Sequence, residues 1–129
     1  MFSFDDLLTK AKNLVNYRKI SKKASAGSVA AVILTDKGNI YMGVCIDTPC
    51  GMGFCAEHAA VAAMVTAGES RIVKMVAVRM DDKGALAPCG RCREFINVIH
   101  DENYKCEVLL ADGSVTTIGE LLPCRIGGS

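Results

Sequence analysis

Cysteines in two short segments constrain the fold of this chain most. The first segment reads C-A-E at residues 55–57, and the second reads P-C-G-R-C at residues 88–92. Thiolates at C-x-x-C spacing are common zinc ligands, and three protein ligands leave one position of a tetrahedral ion free for water. We therefore expect a fold that brings Cys55, Cys89 and Cys92 together around one Zn²⁺, although the two segments lie far apart in the sequence.

A carboxylate stands beside these predicted ligands. Glu57 follows Cys55 by two residues at the start of a predicted helix, so it can face the site without binding the metal. A bound zinc ion lowers the pKa of its water, and a carboxyl group with a raised pKa can carry the proton onward. The pattern C-x-E followed by P-C-x-x-C is typical of enzymes that hydrolytically remove an amino group from a nucleobase. It predicts Glu57 as the catalytic residue.

Positive charge surrounds the predicted thiolates. Both cysteine segments precede a predicted helix, and a helix N-terminus carries roughly half a positive charge, which lowers the pKa of a thiol there. His58, Arg91 and Arg93 are close in sequence to the ligands, and we expect them to add charge or hydrogen bonds around the sulfur atoms.

Two other interpretations of the cysteines remain open. His58 completes a C-x-x-H spacing with Cys55, so the same residues can form a closed Cys₃His structural zinc site. Cysteines also act as small buried apolar residues. That is the preferred interpretation for four of the seven cysteines, namely Cys45, Cys50, Cys106 and Cys124.

Composition limits the classes of protein. The 129 residues suit one domain, and half are hydrophobic while only 5% are aromatic, which favours an aliphatic core and buried subunit interfaces. The net charge is +1, and the one basic group (Arg18, Lys19, Lys22 and Lys23) is interpreted as a solvated loop, which disfavours nucleic-acid binding. No apolar run reaches the ~20 residues of a membrane span. Without a basic leader, and with an odd number of cysteines, a reducing cytoplasmic location is expected.

Hydrophobic periodicity predicts an α/β fold with helices on both faces of a mixed sheet. Predicted helices cover residues 3–17, 55–67 and 90–100, and a last helical turn covers 118–122. Predicted strands cover residues 29–35, 40–46, 72–80, 105–111 and 114–117. Residues 21–28 and 47–54 are expected to be loops, and 36–39, 81–84 and 112–113 turns.

The chain resembles the cytidine deaminase family, which includes blasticidin S deaminase. The likeness spans nearly the whole length: residues 34–40, 55–57, 88–93 and the E-L-L-P at 120–123. It implies a small cytosolic enzyme of pyrimidine salvage, commonly a homotetramer (a dimer is the alternative), with a three-layer α-β-α sandwich around a five-stranded sheet. It also implies that Cys55, Cys89 and Cys92 bind zinc and that Glu57 moves protons. The Ala56 amide would contact the ring carbonyl, and the Ala87 carbonyl would receive the leaving amine.

Departures from the family pattern fall on the substrate-holding positions. Where the family has an Asn-x-Glu that binds the sugar, this chain has Cys45-Ile46-Asp47. At two positions where the family has aromatic residues, this chain has Gly27 and Ile126. Asp47 can still accept a hydrogen bond, whereas a thiol cannot replace an amide. We therefore expect a wider pocket that admits an N4-substituted or antibiotic cytosine nucleoside. If sites are shared between subunits, the tail 123–129 lines a neighbour's pocket.

Three other functions compete with this prediction. A sibling enzyme acting on a free base or another amino-heterocycle has the same metal chemistry, and a non-enzymatic Cys₃His module has the same spacing. Deamination of nucleic acid is disfavoured, because the sequence shows neither a basic groove nor the aromatic platform that single-strand binding uses.

Overall fold

A computed structural model of the chain describes residues 1–81 and 84–128. In that part the helices are α1 (Phe4–Leu14), α2 (Ala56–Thr66) and α3 (Gly90–Ile99). The strands are β1 (Arg18–Lys19), β2 (Ser25–Thr35), β3 (Ile40–Asp47), β4 (Ile72–Arg79), β5 (Glu107–Leu109) and β6 (Val115–Thr117). Short 3₁₀ turns occupy Pro49–Gly51 and Asn103–Lys105.

The strands form one mixed sheet with β2 at its centre. β2 pairs antiparallel with β3 along one edge and with β4 along the other, while β1 pairs only with the first two residues of β2, on the β4 side. β4 and β5 are parallel, and β6 is antiparallel to β5. The α/β fold class is confirmed; the described part of the sheet has six strands rather than five, because the two-residue β1 was not predicted.

Helices cover both faces of the sheet. Successive residues of β2 point to opposite faces, so Val32 packs with Leu7 and Ala11 of α1, whereas Ile33 packs with Met64 of α2 and Ile96 of α3. All of these side chains are fully buried. Burying an aliphatic side chain of this size contributes about 1.5–3 kcal/mol, so the two layers of core hold the helices firmly against the sheet.

Strand direction explains why α2 and α3 begin at the same place. β3 and β4 are both antiparallel to β2, so they run parallel to each other and end at the same edge of the sheet. The loop after β3 leads into α2, and the loop after β4 leads into α3. Both helix N-termini, and the cysteines beside them, are therefore brought to one end of the molecule.

Several predicted boundaries were wrong. β2 begins at Ser25, inside the predicted loop 21–28, and α1 ends at Leu14 rather than near Tyr17. The final helical turn predicted at 118–122 is present as hydrogen-bonded turns, one of them from the Leu121 N–H to the Thr117 carbonyl, and does not extend into a helix. Residues 82 and 83 of the predicted turn 81–84 lie outside the described residues.

The strand predicted over residues 105–111 is shorter because of one buried amide. The side chain of Asn103 is fully buried, accepts a hydrogen bond from the Ile72 N–H at 2.8 Å, and donates to the carbonyls of Ser70 and Ile96 at 3.0 Å each. These bonds hold residues 103–105 as a 3₁₀ turn, so β5 starts only at Glu107.

The four remaining cysteines divide into two pairs. Cys45 and Cys106 are buried, as predicted, but Cys50 and Cys124 are exposed. Cys50 and Cys124 also have positive φ angles of 62° and 58°, which places them in turns rather than in the core. The prediction that these two fill the core was wrong.

In the described residues, no helix has the length and apolar character needed to cross a lipid bilayer.

Candidate active site

Three cysteine sulfur atoms meet where α2 and α3 begin. Cys55 and Cys89 are the N-cap residues of the two helices, and Cys92 lies in the first turn of α3. The Sγ atoms of Cys55 and Cys89 are 3.6 Å apart, and those of Cys89 and Cys92 are 3.4 Å apart. Sulfurs bound at zinc–sulfur distances to one tetrahedral ion lie about 3.8 Å apart. The cluster therefore fits a zinc ion with very little rearrangement.

The thiols experience different electrostatic surroundings. Burial raises the pKa of Cys55 and, together with the nearby Glu57 carboxylate, that of Cys92. Burial also acts on Cys89, but the hydrogen bond from the backbone N–H of Cys92 and the side-chain hydrogen bonds with Cys92 and Cys55 outweigh it, so the pKa of Cys89 is lowered. Because zinc binds thiolates, loading the site releases protons from these groups.

Glu57 is buried next to the sulfur cluster. Its side chain is only 3% exposed, and burial raises the pKa of its carboxyl group above the ordinary value. It lies in the first turn of α2 and lines the same cavity as Cys55 and Cys89. A carboxyl group in these surroundings can exchange a proton with a bound molecule.

His58 contacts the cluster without joining it. The group of mutually close ligand atoms in the described residues consists of Cys55, Cys89 and Cys92, with all three sulfurs within 4.8 Å of one another. The Nδ1 atom of His58 lies 3.4 Å from Cys92 Sγ, and its ring stacks on Phe95 with centroids 4.1 Å apart. Burial lowers the pKa of His58, with a smaller contribution from Arg91.

The two arginines near the cluster have different surroundings. Arg91 lines the cavity. Arg93 donates from Nε to the Pro88 carbonyl at 2.7 Å and from Nη1 to the Leu121 carbonyl at 3.1 Å. Arg93 therefore fastens the turn before Cys89 to the C-terminal segment, and these hydrogen bonds go to carbonyl groups rather than to sulfur.

A cavity of about 570 Å³ opens above Glu57 and the sulfur cluster. Four of the five predicted substrate-binding residues line it, namely Cys45, Asp47, Ala56 and Ala87. The fifth, Ile126, does not line the cavity of its own chain: its backbone N–H donates to Glu94 and its carbonyl accepts from Asn97, and its side chain is exposed. The volume lies within the range of small-molecule binding sites.

Ser28, Val29, Cys45 and Asp47 form a hydrogen-bonded part of the cavity lining. The Cys45 thiol accepts a hydrogen bond from the Val29 N–H at 3.3 Å, lies 3.2 Å from Ser28 Oγ, and donates to Asp47 Oδ2 at 3.8 Å. Sequence reasoning missed Ser28 because it lay in a predicted loop. The small residues at 24–28 give no alternation that marks a strand.

Gly27 has a backbone that excludes a side chain. Its φ is +86°, and a Cβ atom added there would lie 2.1 Å from the Asn16 carbonyl oxygen. β2 carries a bulge between Ala26 and Ala30 at this point. The backbone of the strand at position 27 therefore leaves no room for an aromatic or any other side chain.

Three thiols placed for one ion beside a buried carboxyl group, at the floor of a cavity, define the class of zinc-dependent hydrolases. Residues 4–108 match the family described as the cytidine and deoxycytidylate deaminase zinc-binding region. The chain therefore belongs to this family, is a zinc-dependent aminohydrolase, and shares the family's action on cytidine-like substrates.

Individual relatives agree with this assignment. A cytidine deaminase from Sporosarcina psychrophila is 34% identical over 98 residues, covering 74% of this chain and 71% of the relative. A blasticidin-S deaminase from Bacillus cereus is 35% identical over 108 residues, covering 75% of each. The crystal structure of cytidine deaminase from Mycobacterium tuberculosis superposes with a TM-score of 0.80 at 25% identity, covering 98% of this chain and 99% of that one.

Proposed function

We propose that the protein hydrolyses the exocyclic amino group of cytidine, deoxycytidine or a modified cytosine nucleoside, and releases ammonia and the uridine product. Modified substrates include N4-substituted and antibiotic cytosine nucleosides. One observation carries the proposal: the buried Glu57 lines the same cavity as Cys55 and Cys89, whose sulfurs cluster with the sulfur of Cys92 beneath it.

Roles within the site follow from chemistry and placement. Zinc, when bound by the three thiolates, supplies a Lewis acid that makes a water molecule acidic enough to attack near neutral pH. Glu57 takes one proton from the attacking water and gives it to the ring nitrogen, and then takes the remaining proton of the added hydroxyl group and gives it to the departing amine. Its buried position favours the protonated form, which is the form that donates.

Backbone groups hold the heterocycle. Ala56 is the first residue of α2, so its N–H lies outside the intrahelical hydrogen bonds and is available to donate to the ring carbonyl. The carbonyl of Ala87, which also lines the cavity, accepts a hydrogen bond from the leaving amine. His58 and Arg91 tune the thiolates, and Arg93 positions the turn that carries Cys89.

Asp47 and Cys45 face the sugar in this proposal. The Asp47 carboxylate accepts hydrogen bonds from sugar hydroxyl groups. The Cys45 thiol is already engaged with Val29 and Ser28, so it contributes shape more than hydrogen bonding. With glycine at position 27, no aromatic side chain from β2 enters the cavity, which leaves room for a bulkier nucleoside.

We further propose that residues 1–129 form one cytoplasmic domain that assembles as a homotetramer, with a dimer as the alternative. Exposed apolar side chains on different elements support burial between subunits, among them Met42, Val65 and Val98. In such an assembly Ile126 and the tail 123–129 line a neighbour's cavity.

An ammonia-release assay tests the proposed function. Zinc-loaded protein is mixed with cytidine, deoxycytidine, cytosine, an N4-substituted cytidine and blasticidin S, with the Glu57→Gln variant as the control. Turnover of a nucleoside that disappears in the control supports the proposal. Turnover of free cytosine that is unaffected by Asp47→Ala would instead assign the enzyme to free bases. No turnover of any substrate, with one zinc per chain, would contradict the proposal.

A further inference from the structure

The C-terminal segment, residues 121–128, forms a strap on α3. It consists of irregular turns, and most of its side chains are exposed. Two side chains of α3 nevertheless bind its backbone at Ile126. The Ile126 N–H donates to Glu94 Oε1 at 3.0 Å, and the Ile126 carbonyl accepts from Asn97 Nδ2 at 2.9 Å. Both backbone polar groups of one exposed residue are therefore held by one helix.

The two side chains that hold the strap also bind each other. Asn97 Nδ2 donates to Glu94 Oε2 at 2.9 Å, so the amide nitrogen has two acceptors and each carboxylate oxygen accepts one hydrogen bond. Asn97 is only 7% exposed. Burying an amide costs free energy unless its polar groups are paired. The carbonyl of Ile126 supplies one of the two acceptors, so the strap completes the hydrogen bonding of a buried side chain.

Two further contacts fasten the strap before it reaches Ile126. The Arg125 guanidinium group lies 4.3 Å from the centre of the Tyr104 ring, which is a cation–π contact with the 3₁₀ turn that follows α3. At the start of the strap, the Leu121 carbonyl accepts a hydrogen bond from Arg93 Nη1 at 3.1 Å. The strap is therefore bound at its beginning and near its end.

Arg93 connects the strap to the turn that carries a zinc ligand. Its Nε donates to the Pro88 carbonyl at 2.7 Å, while its Nη1 binds the carbonyl of Leu121. Pro88 directly precedes Cys89, and Arg93 directly follows Cys92. A guanidinium group is a planar, rigid fork, so a partner at one N–H group restricts the direction of the others. The position of Leu121 therefore restricts Pro88 and, through it, Cys89.

The turn before α3 depends on this connection. Leu86, Ala87 and Cys89 line the cavity. The Leu86 N–H donates to the Ala77 carbonyl of β4 at 2.7 Å, which fixes the start of the turn. At its end, Cys89 is the N-cap of α3 and forms no side-chain capping bond within the part of the chain that the structure describes. The hydrogen bond from Arg93 is therefore the second anchor of the turn.

We propose that the C-terminal strap positions the zinc site. Glu94 and Asn97 hold the strap on α3, and Arg93 transmits its position to the turn that carries Cys89. Glu94 and Asn97 are thus positioning residues. Groups that orient the ligands of a metal typically change its affinity 10- to 100-fold, so loss of the strap accelerates zinc release. The inference concerns the metal site and does not depend on which substrate is deaminated.

Zinc release tests the strap without any measurement of turnover. A chelating dye takes zinc from the loaded protein, and its change in colour gives the rate. We expect Glu94→Ala and deletion of residues 123–129 each to raise this rate about tenfold. Combining the two changes should raise it no further, because both remove the same contact and their effects are not additive.

Variants of the Ile126 backbone locate the effect. Ile126→Pro removes the N–H that Glu94 accepts and should release zinc as fast as Glu94→Ala. Ile126→Ala keeps this N–H, so its rate of zinc release should stay within about twofold of the wild-type rate. Glu120→Ala is the matched control for Glu94→Ala: the Glu120 carboxylate is exposed and binds Thr116 and Thr117, outside the strap. It should leave the rate unchanged.

A general loss of stability is tested with a core variant on the other face of the sheet. Val32 is fully buried against α1, so Val32→Ala lowers the stability of the fold by leaving a cavity and leaves the strap intact. Measured well below its thermal midpoint, this variant should release zinc at the wild-type rate. Acceleration equal to that of Glu94→Ala would attribute the effect to stability and reject the strap.

Three other outcomes would overturn the proposal. One is a wild-type rate of zinc release in both Glu94→Ala and the deletion variant. Another is additive acceleration when the two changes are combined. The third is equal acceleration by Ile126→Ala and Ile126→Pro, which would exclude the backbone contact. Since no substrate is present, a protein without deaminase activity still gives a result, and an active enzyme with unchanged rates rejects the strap alone.

Discussion

Glu57 combines two properties that are rarely found together in a helix glutamate. Its side chain is almost completely buried, and no arginine or lysine in the described residues forms an ion pair with it. Desolvating a carboxyl group that has no ionic partner costs free energy, so its burial here calls for a functional reason. Its place in the cavity lining, beside the thiols, supports the proposed role in proton transfer.

Replacing this carboxyl group tests its role directly. We expect Glu57→Gln to fold, to retain one zinc per chain and to lose at least about 10²-fold in kcat, because general acid–base groups typically contribute that much. Ammonia release measures kcat, and elemental analysis measures the zinc. An active glutamine variant would show that another group moves the proton.

Zinc retention distinguishes an open metal site from a closed one. Cys92→Ala should lose zinc, because Cys92 contributes one of the three clustered sulfurs. His58→Ala should keep zinc and only reduce activity, since His58 contacts Cys92 Sγ and does not belong to the cluster. Elemental analysis of the purified variants gives the result. Cys106→Ala is the control for loss of a buried cysteine outside the cluster. Loss of zinc in His58→Ala would restore the Cys₃His interpretation.

Gly27 shows how a backbone can decide the shape of a pocket. Because φ is positive and the Asn16 carbonyl oxygen stands in the place of a Cβ, we expect Gly27→Ala to lower the free energy of unfolding by about 1–3 kcal/mol. Urea denaturation measures the change. Gly38→Ala, also at positive φ but with open space around it, is the matched control for the strain alone. Equal losses of unfolding free energy in the two variants would show that the close contact with the Asn16 carbonyl oxygen adds nothing to the strain of a positive φ.

At the scale of elements, the helices were easier to predict than the sheet edges. Ser3 was predicted to cap α1, and the structure shows a complete capping box between Ser3 and Asp6. The first residues of β2 were missed because small residues carry no hydrophobic alternation. β1 was missed because two exposed residues form a strand only through tertiary pairing.

The cysteine cluster was predicted because metal ligands must converge wherever they lie in the sequence. A second cavity of about 360 Å³, lined by lysines of residues 19–23 together with Asp47 and Thr48, was not predicted, because nothing local in the sequence brings these residues together.

A hydrogen-bonded carboxylate joins the β2–β3 turn to the end of α2. Glu69 Oε2 accepts from the Tyr41 hydroxyl at 2.6 Å and from Asn39 Nδ2 at 2.9 Å. The Tyr41 hydroxyl, followed by Thr35 and Asn39, lowers the pKa of Glu69, and the same contact raises the pKa of Tyr41. A lowered carboxyl pKa stabilises the fold at neutral pH, above the unfolded value of about 4.3.

The corresponding prediction concerns acid stability. As pH falls below about 4.3 and passes through the lowered native pKa of Glu69, its stabilising contribution should disappear. In Tyr41→Phe we expect a lower urea midpoint at pH 7 and a shallower decline between pH 5 and pH 3, because the largest cause of the shift has been removed. Tyr17→Phe, at an exposed tyrosine, is the control. Parallel pH profiles for Tyr41→Phe and wild type would contradict this account.

Across the whole molecule, the metal site adds a direct link between two segments of the chain that also pack on the same core. Cys55 belongs to the segment after β3, while Cys89 and Cys92 belong to the segment after β4. A ligand that binds the folded state and not the unfolded one stabilises it by an amount set by its concentration relative to its dissociation constant. Zinc bound by all three sulfurs therefore adds to the stability of the fold as a whole.

Removing zinc should lower the thermal midpoint by several degrees and leave the secondary structure largely in place, because the two core layers do not depend on the thiols. Circular dichroism of chelator-treated and zinc-loaded protein measures both quantities. Magnesium, added in place of zinc, should not restore the midpoint, since it prefers oxygen ligands. A zinc-free protein with an unchanged midpoint would show that the site contributes nothing to folding.

Asp47 and Thr48 separate two parts of the cavity lining along the chain. The thiols and Glu57 lie at the N-termini of two helices that are anchored in the core, whereas Asp47 ends β3 and Thr48 begins the loop after it. On the proposed assignment of these residues, substrate preference can diverge, or be redesigned in the laboratory, through residues 45–48 while the hydrolytic chemistry stays intact.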